Sequence, residues 1–326
     1  MPHGTHHSVL LEESVAALVH DRDGTYVDGT FGRGGHARAI LARLSPRGRV
    51  VAIDRDPDAE RAAAGLRDAR FAFRRARFSA LDDVLDALAI PLCDGVLLDL
   101  GVSSPQLDTP ARGFSFRHEG PLDMRMDPDA GEPASAFIAR ASLRELTEVI
   151  RDHGEERLAQ PIARAIVAAR ARGPVVTTRQ LAAIVAQAVG PRTRGDWRQD
   201  PATRTFQALR IAVNEELVEL ERVLPRAVAR LREEGRLCVV SFHSLEDRIV
   251  KRFVASASKP FGGDARLARA PIAEADLPAP PLAAVGRAIR ASQAECDANP
   301  RARSAVLRVA RRTAAPLPSD WPGRGA

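Results

Sequence analysis

From Val9 to Leu98 two kinds of apolar pattern alternate, and that alternation restricts the fold more than any single residue does. Helical spacing over Val9 to Val19 gives way to a β-like run ending at Val27. Helix 37–44, strand 49–53, helix 57–67, strand 70–75, helix 79–89 and strand 94–99 follow. Strands separated by helices need crossover connections, so the expected sheet is parallel. Asp56-Pro57 starts its helix in the expected manner, with Asp56 as cap and Pro57 in the first turn. Three arginines make 69–76 the weakest of the strands.

After Leu100 the texture changes to a loop rich in Gly, Pro, Asp and Met as far as Pro133, then to a helical block through Asn214. Strand character returns at 235–242, a helix follows over 245–256, and a late strand over 304–310. The economical topology is an α/β, Rossmann-like doubly wound sheet with an inserted all-helical domain. Its expected boundaries are 1–106 and 215–312 for the discontinuous sheet domain, 107–214 for the insertion and 313–326 for a flexible tail. Residues 258–300, with several prolines, read as a long irregular connection.

The first strand runs into Asp28-Gly29-Thr30-Phe31-Gly32-Arg33-Gly34-Gly35-His36. Glycines there let backbone amides approach a ligand. Gly32 to Ala37 fits the G-x-G-x-x-G/A dinucleotide pattern, with Asp54 about 20 residues on at the next strand tip. Asp28 argues the other way: a carboxylate before the glycines would crowd and repel a pyrophosphate. S-adenosylmethionine has no phosphate and carries a cationic methionine end, so it suits the loop better than NAD. A plain structural turn remains a third reading.

A third acid, Asp99, closes the strand 94–99 and leads into Gly101-Val102-Ser103-Ser104-Pro105-Gln106. Ligands of open parallel sheets bind beyond the strands' carboxyl ends, so Asp28, Asp54 and Asp99 should converge on one crevice. Taken singly, Asp99 could equally cap a turn. Ser104-Pro105-Gln106 is loosely similar to the Asp/Asn/Ser-Pro-Pro-Tyr/Phe signature of enzymes that methylate exocyclic amino groups. An amino nitrogen conjugated with a base ring is a poor nucleophile, and acceptors must hold its hydrogens while its lone pair turns to the methyl carbon. Gln106 stands where that signature has an aromatic. Stacking would then fall to Phe114, Phe116 or Phe242, residues that otherwise read as core. Carbon-5 methylation needs a cysteine nucleophile, and neither Cys93, at the wrong strand end, nor Cys238, inside a strand, is placed for it.

The three cysteines lie outside any C-x-x-C pattern, and no metal site is expected from His3, His6 and His7. No apolar run approaches bilayer length and Met1 to Ser8 lack signal-peptide features, so a cytoplasmic protein is expected. The net charge is +6, and residues 151–214 hold 11 arginines against five acids, which suits either a polyanion partner or an arginine-rich solvated face.

Taken together, the motifs are similar to those of the bacterial small-subunit ribosomal RNA cytosine-N4 methyltransferases of the MraW type. The blocks are His6 to Leu11, Asp28 to His36, Ala52 to Asp56, Asp99 to Gln106, Arg112 to Phe116, Gly120 to Asp127, Ala202 to Arg210, Ser241 to Arg248 and Asn299 to Ser304. The resemblance implies S-adenosylmethionine-dependent methylation of one cytosine N4 in the decoding region, with 16S ribosomal RNA, within the small subunit, as partner. Other nucleic-acid amino-methyltransferases and an NAD-dependent oxidoreductase are the alternatives. It implies cofactor contacts at Gly34, Gly35, His36, Asp54, Phe78, Asp99 and Gln106, to which the loop reading adds Asp28 and Gly32. Asp99, Ser104, Pro105 and His243 are the candidate catalytic residues, His243 facing the base or orienting the loop that carries Asp99. Arg204, Arg210, Arg301 and Arg303 are candidate RNA contacts, with pairing to protein acids as the alternative. A homodimer and the absence of membrane and metal partners complete the expectations.

Overall fold

The computed structural model describes residues 8–190, 200–260 and 277–322. The chain divides into two compact units: residues 1–101 with 217–326, and residues 102–216. His3, His6 and His7 lie outside the described residues.

Among its described residues the first unit is built on eight strands: β1 (Thr25–Asp28), β2 (Arg49–Asp54), β3 (Phe71–Arg75), β4 (Cys93–Asp99), β5 (Leu231–Ser241), β6 (Leu282–Ala284), β7 (Ile289–Arg290) and β8 (Val306–Arg312). The order is β3-β2-β1-β4-β5-β8-β6, with β7 also on β8. β1 to β5 are parallel, as the alternating pattern requires, whereas β8 runs antiparallel to β5. β3 is an edge strand, and its exposed Arg74 and Arg75 are therefore no contradiction. Helices cover both faces. Val27, Ile53, Val96, Leu98 and Val239 pack on one side with Leu220, Leu224 and Val250. Tyr26, Val50, Ala52, Leu97 and Val240 pack on the other with Val15, Leu18, Ala37 and Ile40. Asp56 caps the helix Pro57–Ala64 as expected, accepting from the Asp58 amide at 2.8 Å. No described helix is long and apolar enough to cross a membrane.

Helices dominate the described residues of the second unit. Ala134–Arg140, Leu143–Asp152, Ala159–Arg170, Thr178–Val189 and Ala202–Asn214 close on a core of Ile138, Leu146, Ile150, Ile162, Ile166, Leu181, Val185 and Leu209. Capping boxes at Ser142/Glu145 and Thr177/Gln180 fix two of the starts.

Two stretches are more ordered than the sequence reading expects. Within 258–300, β6, β7 and the helix Gln293–Ala298 interrupt the irregular connection, and Glu295 ties it down by accepting from the Leu10 amide at 2.7 Å. The described part of the tail is not frayed: Ala315 is buried, Leu317 and Trp321 pack on the core, and Trp321 Nε1 donates to the Pro225 carbonyl at 2.9 Å. The large apolar surface of the indole, with its N–H satisfied, is what holds this proline-rich segment against the core.

Candidate active site

Alternation along the strands puts the three acids on one face of the sheet. Asp28, Asp54 and Asp99 each stand two residues beyond a side chain of the second core layer, respectively Tyr26, Ala52 and Leu97. The register pairs Asp28 with Ala52 and Leu97, so Asp54 and Asp99 reach one pleat repeat further out. Asp28 is accordingly the deepest, with no exposed surface, while the Asp99 side chain keeps 22%.

Backbone bonds stitch the loop after β1 to both neighbouring strands. The Gly29 amide donates to the Leu97 carbonyl at 2.9 Å and the Phe31 amide to the Ile53 carbonyl at 3.1 Å. Gly32 and Gly34 hold φ of 54° and 76°, left-handed values at which a side chain would be strained. Little lies around Gly32, but Gly35 is crowded: a Cβ there would collide with Ser8 Oγ. The bare face of Gly35 thus receives the chain's own Ser8. Asp54 is held by two amides, Gly32 N at 2.8 Å and Asp56 N at 2.9 Å. Asp28 Oδ1 accepts from Thr30 N at 3.2 Å, and the Asp99 amide donates to Thr30 Oγ1 at 2.6 Å.

The outward oxygens are left over. Asp28 Oδ2 and Asp99 Oδ1 are buried without a hydrogen-bond partner, as is His36 Nε2. Burial, with a smaller contribution from the Asp54 charge, pushes the Asp28 carboxyl up to about 7. Burial also raises Asp54. Asp99 is held far above the ordinary carboxylate range by burial first, then by Asp28 and Glu246. His36 lies 3.6 Å from Asp99 Oδ2, but burial pushes its imidazole down to about 4. With the imidazole held neutral, that contact is not an ion pair. A cluster of buried acids with unpartnered oxygens suits a cation and repels a phosphate, the distinction Asp28 raised from sequence.

Phe78 follows β3 at the same edge, its Cβ 3.7 Å from where a Gly29 Cβ would stand, and packs partly against the core. Ser104, Pro105 and Gln106 fall in the second unit, in the first turn of the helix Ser104–Asp108. Gln106 is buried there and closes a capping box, Oε1 accepting from the Ser103 amide at 2.8 Å. Phe114 is buried, and Phe116 packs edge-on against Phe206, their centroids 4.8 Å apart, so both behave as core.

His243 caps the helix Ser244–Ala257, Nδ1 accepting from the Glu246 amide at 3.5 Å. Glu246 answers by accepting from the Phe242 and His243 amides at 2.8 and 3.3 Å. Sequence reasoning gave no role to this buried glutamate or to Thr30, although both lie in blocks it singled out. Among the candidate RNA contacts, Arg210 is engaged as a fork by Glu216 at 2.8 and 2.7 Å, both side chains largely buried. Arg210 thus has a protein acid as its partner, the pairing alternative. Arg204 is half-exposed, 3.9 Å from Glu156 and donating to the Glu155 carbonyl. The Arg301 amide donates to Asn299, and Arg303 is exposed.

Residues 3–313 match the MraW methylase family. The "Ribosomal RNA small subunit methyltransferase H" of Burkholderia thailandensis is 58% identical over 313 residues, spanning 95% of this chain and 98% of that protein. The protein of that name from Burkholderia cenocepacia is 57% identical over 311 residues, 94% of this chain and 97% of its own. A solved rRNA methylase from Streptococcus thermophilus covers 92% of each chain at 10% identity with a TM-score of 0.39, too distant to add to the sheet order. The chain is a member of the MraW methylase family.

Proposed function

We propose that the chain methylates the N4 amino group of a decoding-region cytosine in small-subunit ribosomal RNA, with S-adenosylmethionine as donor. The observation that carries the reading is the acid cluster at the tips of β1, β2 and β4, with the unpartnered oxygens of Asp28 and Asp99. The names of the relatives support the substrate. When bound, the cofactor supplies an activated methyl group on a cationic sulfonium and a cationic amino end.

Asp28 and Asp54 are the groups that would hold the cofactor's polar parts, with the turn at Gly32 to His36 closing over them. Asp99 holds the amino group and takes its proton as the nitrogen is methylated. A cation beside the cluster favours the ionised carboxyls, so binding primes Asp99 to accept. His36, kept neutral by burial, adds no opposing charge beside it.

The direct test is tritium transfer from labelled S-adenosylmethionine to small-subunit RNA, with mass-spectrometric mapping of methylcytosine in cells lacking the protein. An N4 mark disappears from the decoding region if the reading holds. Methylation of DNA only, or an intact ribosomal mark, would overturn it.

The electrostatics give a pH prediction. The Asp28 carboxyl, at about 7 in the free protein, must lose its proton to face a cation, so binding releases a proton below that value. Calorimetric affinity for S-adenosylhomocysteine, which keeps the amino end, is expected to rise with pH up to about 7 and level off above it. Asp28→Asn should flatten the profile. A wild-type affinity constant from pH 5.5 to 8.5 would remove Asp28 from the site.

A further inference from the structure

The helix Ser244–Ala257 starts where β5 ends, beside the acid cluster, and its first turn carries Glu246, whose charge acts on Asp99. Beyond that turn the charge becomes one-sided: no Asp or Glu stands between Asp247 and Asp264, while Arg248, Lys251, Arg252 and Lys259 all do. Asp247 is itself bound by Arg308, with contacts of 2.7 and 3.0 Å, so it does not neutralise the stripe. Arg248, Lys251 and Arg252 stand at i, i+3 and i+4 on one face, continued by Ala255 and, just past the helix, Lys259. All four cations are exposed, whereas Val250, Val254 and Ala257 face the core. Lys251, Arg252 and Lys259 have no side-chain ion pair among the described residues. They include the only two lysines in a chain that otherwise uses arginine for every cation.

A solvated helix face usually interleaves both signs, as pairs four apart stabilise it and like charges cost similar amounts. This face does the opposite, and complementarity to a polyanion accounts for it. At ~1.5 Å per residue it runs about 16 Å away from the acid cluster, long enough to pass more than one phosphate of a strand. An anionic membrane would call for free apolar or aromatic side chains bordering the stripe, but Ile249 and Phe253 beside it are partly buried and packed on the core, and its exposed small members are Ser244, Ala255 and Ser256. We infer that the face formed by Lys251, Arg252 and Lys259 is a phosphate-backbone track that leads the substrate RNA strand to the crevice holding Asp99. The inference rests on the RNA reading above, and adds this helix face to the candidate contacts at Arg204, Arg301 and Arg303.

The test is charge reversal in the full chain: Lys251→Glu, Arg252→Glu and Lys259→Glu together. Its control reverses the exposed Arg22, Arg47 and Arg67, which precede the amino ends of β1, β2 and β3, away from the acid-bearing strand tips, and change net charge equally. Affinity for small-subunit RNA is measured from 50 to 300 mM salt, with S-adenosylhomocysteine binding as the check on folding. In the first variant the slope of log affinity against log salt should fall in magnitude by about 2–3, and affinity near 0.15 M by ~10–100-fold. KM for RNA should rise while kcat and S-adenosylhomocysteine affinity hold. An unchanged slope, or an equal loss in the control, overturns the track. So does binding to phosphatidylserine vesicles that the variant loses while its RNA slope stays. If the wild type binds RNA with the expected slope change but transfers no methyl group, the function reading fails and the track stands. Methylation with an unaltered slope fails the track alone.

Discussion

Asp99→Asn is expected to lower kcat for methyl transfer by about 10²–10⁴-fold, the range general acid–base groups supply, with little change in KM for RNA. Asparagine keeps the shape and one acceptor oxygen but cannot take the amino proton. The replacement should not weaken the fold. Asp99 Oδ1 has no protein partner to lose, and Asp28 and Glu246 both act against a charge at this position. Thermal stability equal to or above wild type, alongside the lost rate, separates chemistry from unfolding. Transfer at the wild-type rate would dismiss Asp99 as the acceptor. A parallel loss of rate and stability would instead assign it a structural role.

The second large effect lies in the helical unit. Asn214 is buried at the end of the helix Ala202–Asn214. Its Oδ1 accepts from the Met126 amide at 2.8 Å, and its Nδ2 donates to the Met124 and Arg210 carbonyls at 2.7 and 2.9 Å. Met124 has a φ of 63°, a left-handed conformation unfavourable to a branchless but bulky side chain by roughly 1–2 kcal/mol. Asn214 is thus the clamp on a strained loop. Asn214→Ala removes all three bonds from buried groups and should cost roughly 2–4 kcal/mol. Asn214→Asp keeps the bond from Met126 but turns a carboxylate oxygen toward two carbonyls, so it too should destabilise. Hydrogen exchange over residues 122–213 reads this without assuming that both units unfold together. Protection within about 1 kcal/mol of wild type in both variants would refute the clamp.

How far each feature could be read from sequence follows from the scale of its signal. β1 to β5 are long enough to show strand patterning between helices, and their order follows from handed crossovers. β6 and β7, of three and two residues, are too short for any period to appear. The three acids were visible because each closes a strand. Glu246 and Thr30 were not, because their work is done against backbone amides that only the fold brings near. Arg210 and Glu216 are six apart, outside ordinary helical pairing. They meet because Glu215 takes a φ of 54° and turns the chain between two helices.

The sheet order also bears on how the chain is made. β4 lies between β1 and β5, yet about 130 residues separate Asp99 from Leu231. At ~5–20 residues per second, synthesis leaves the apolar flank of β4 without its neighbour for on the order of ten seconds. The intervening helices have their own core and can close during that interval. The nascent sheet cannot: Val96, Leu97 and Leu98 wait on an open edge until β5 leaves the ribosome, and there a chaperone or a neighbouring nascent chain would compete for them.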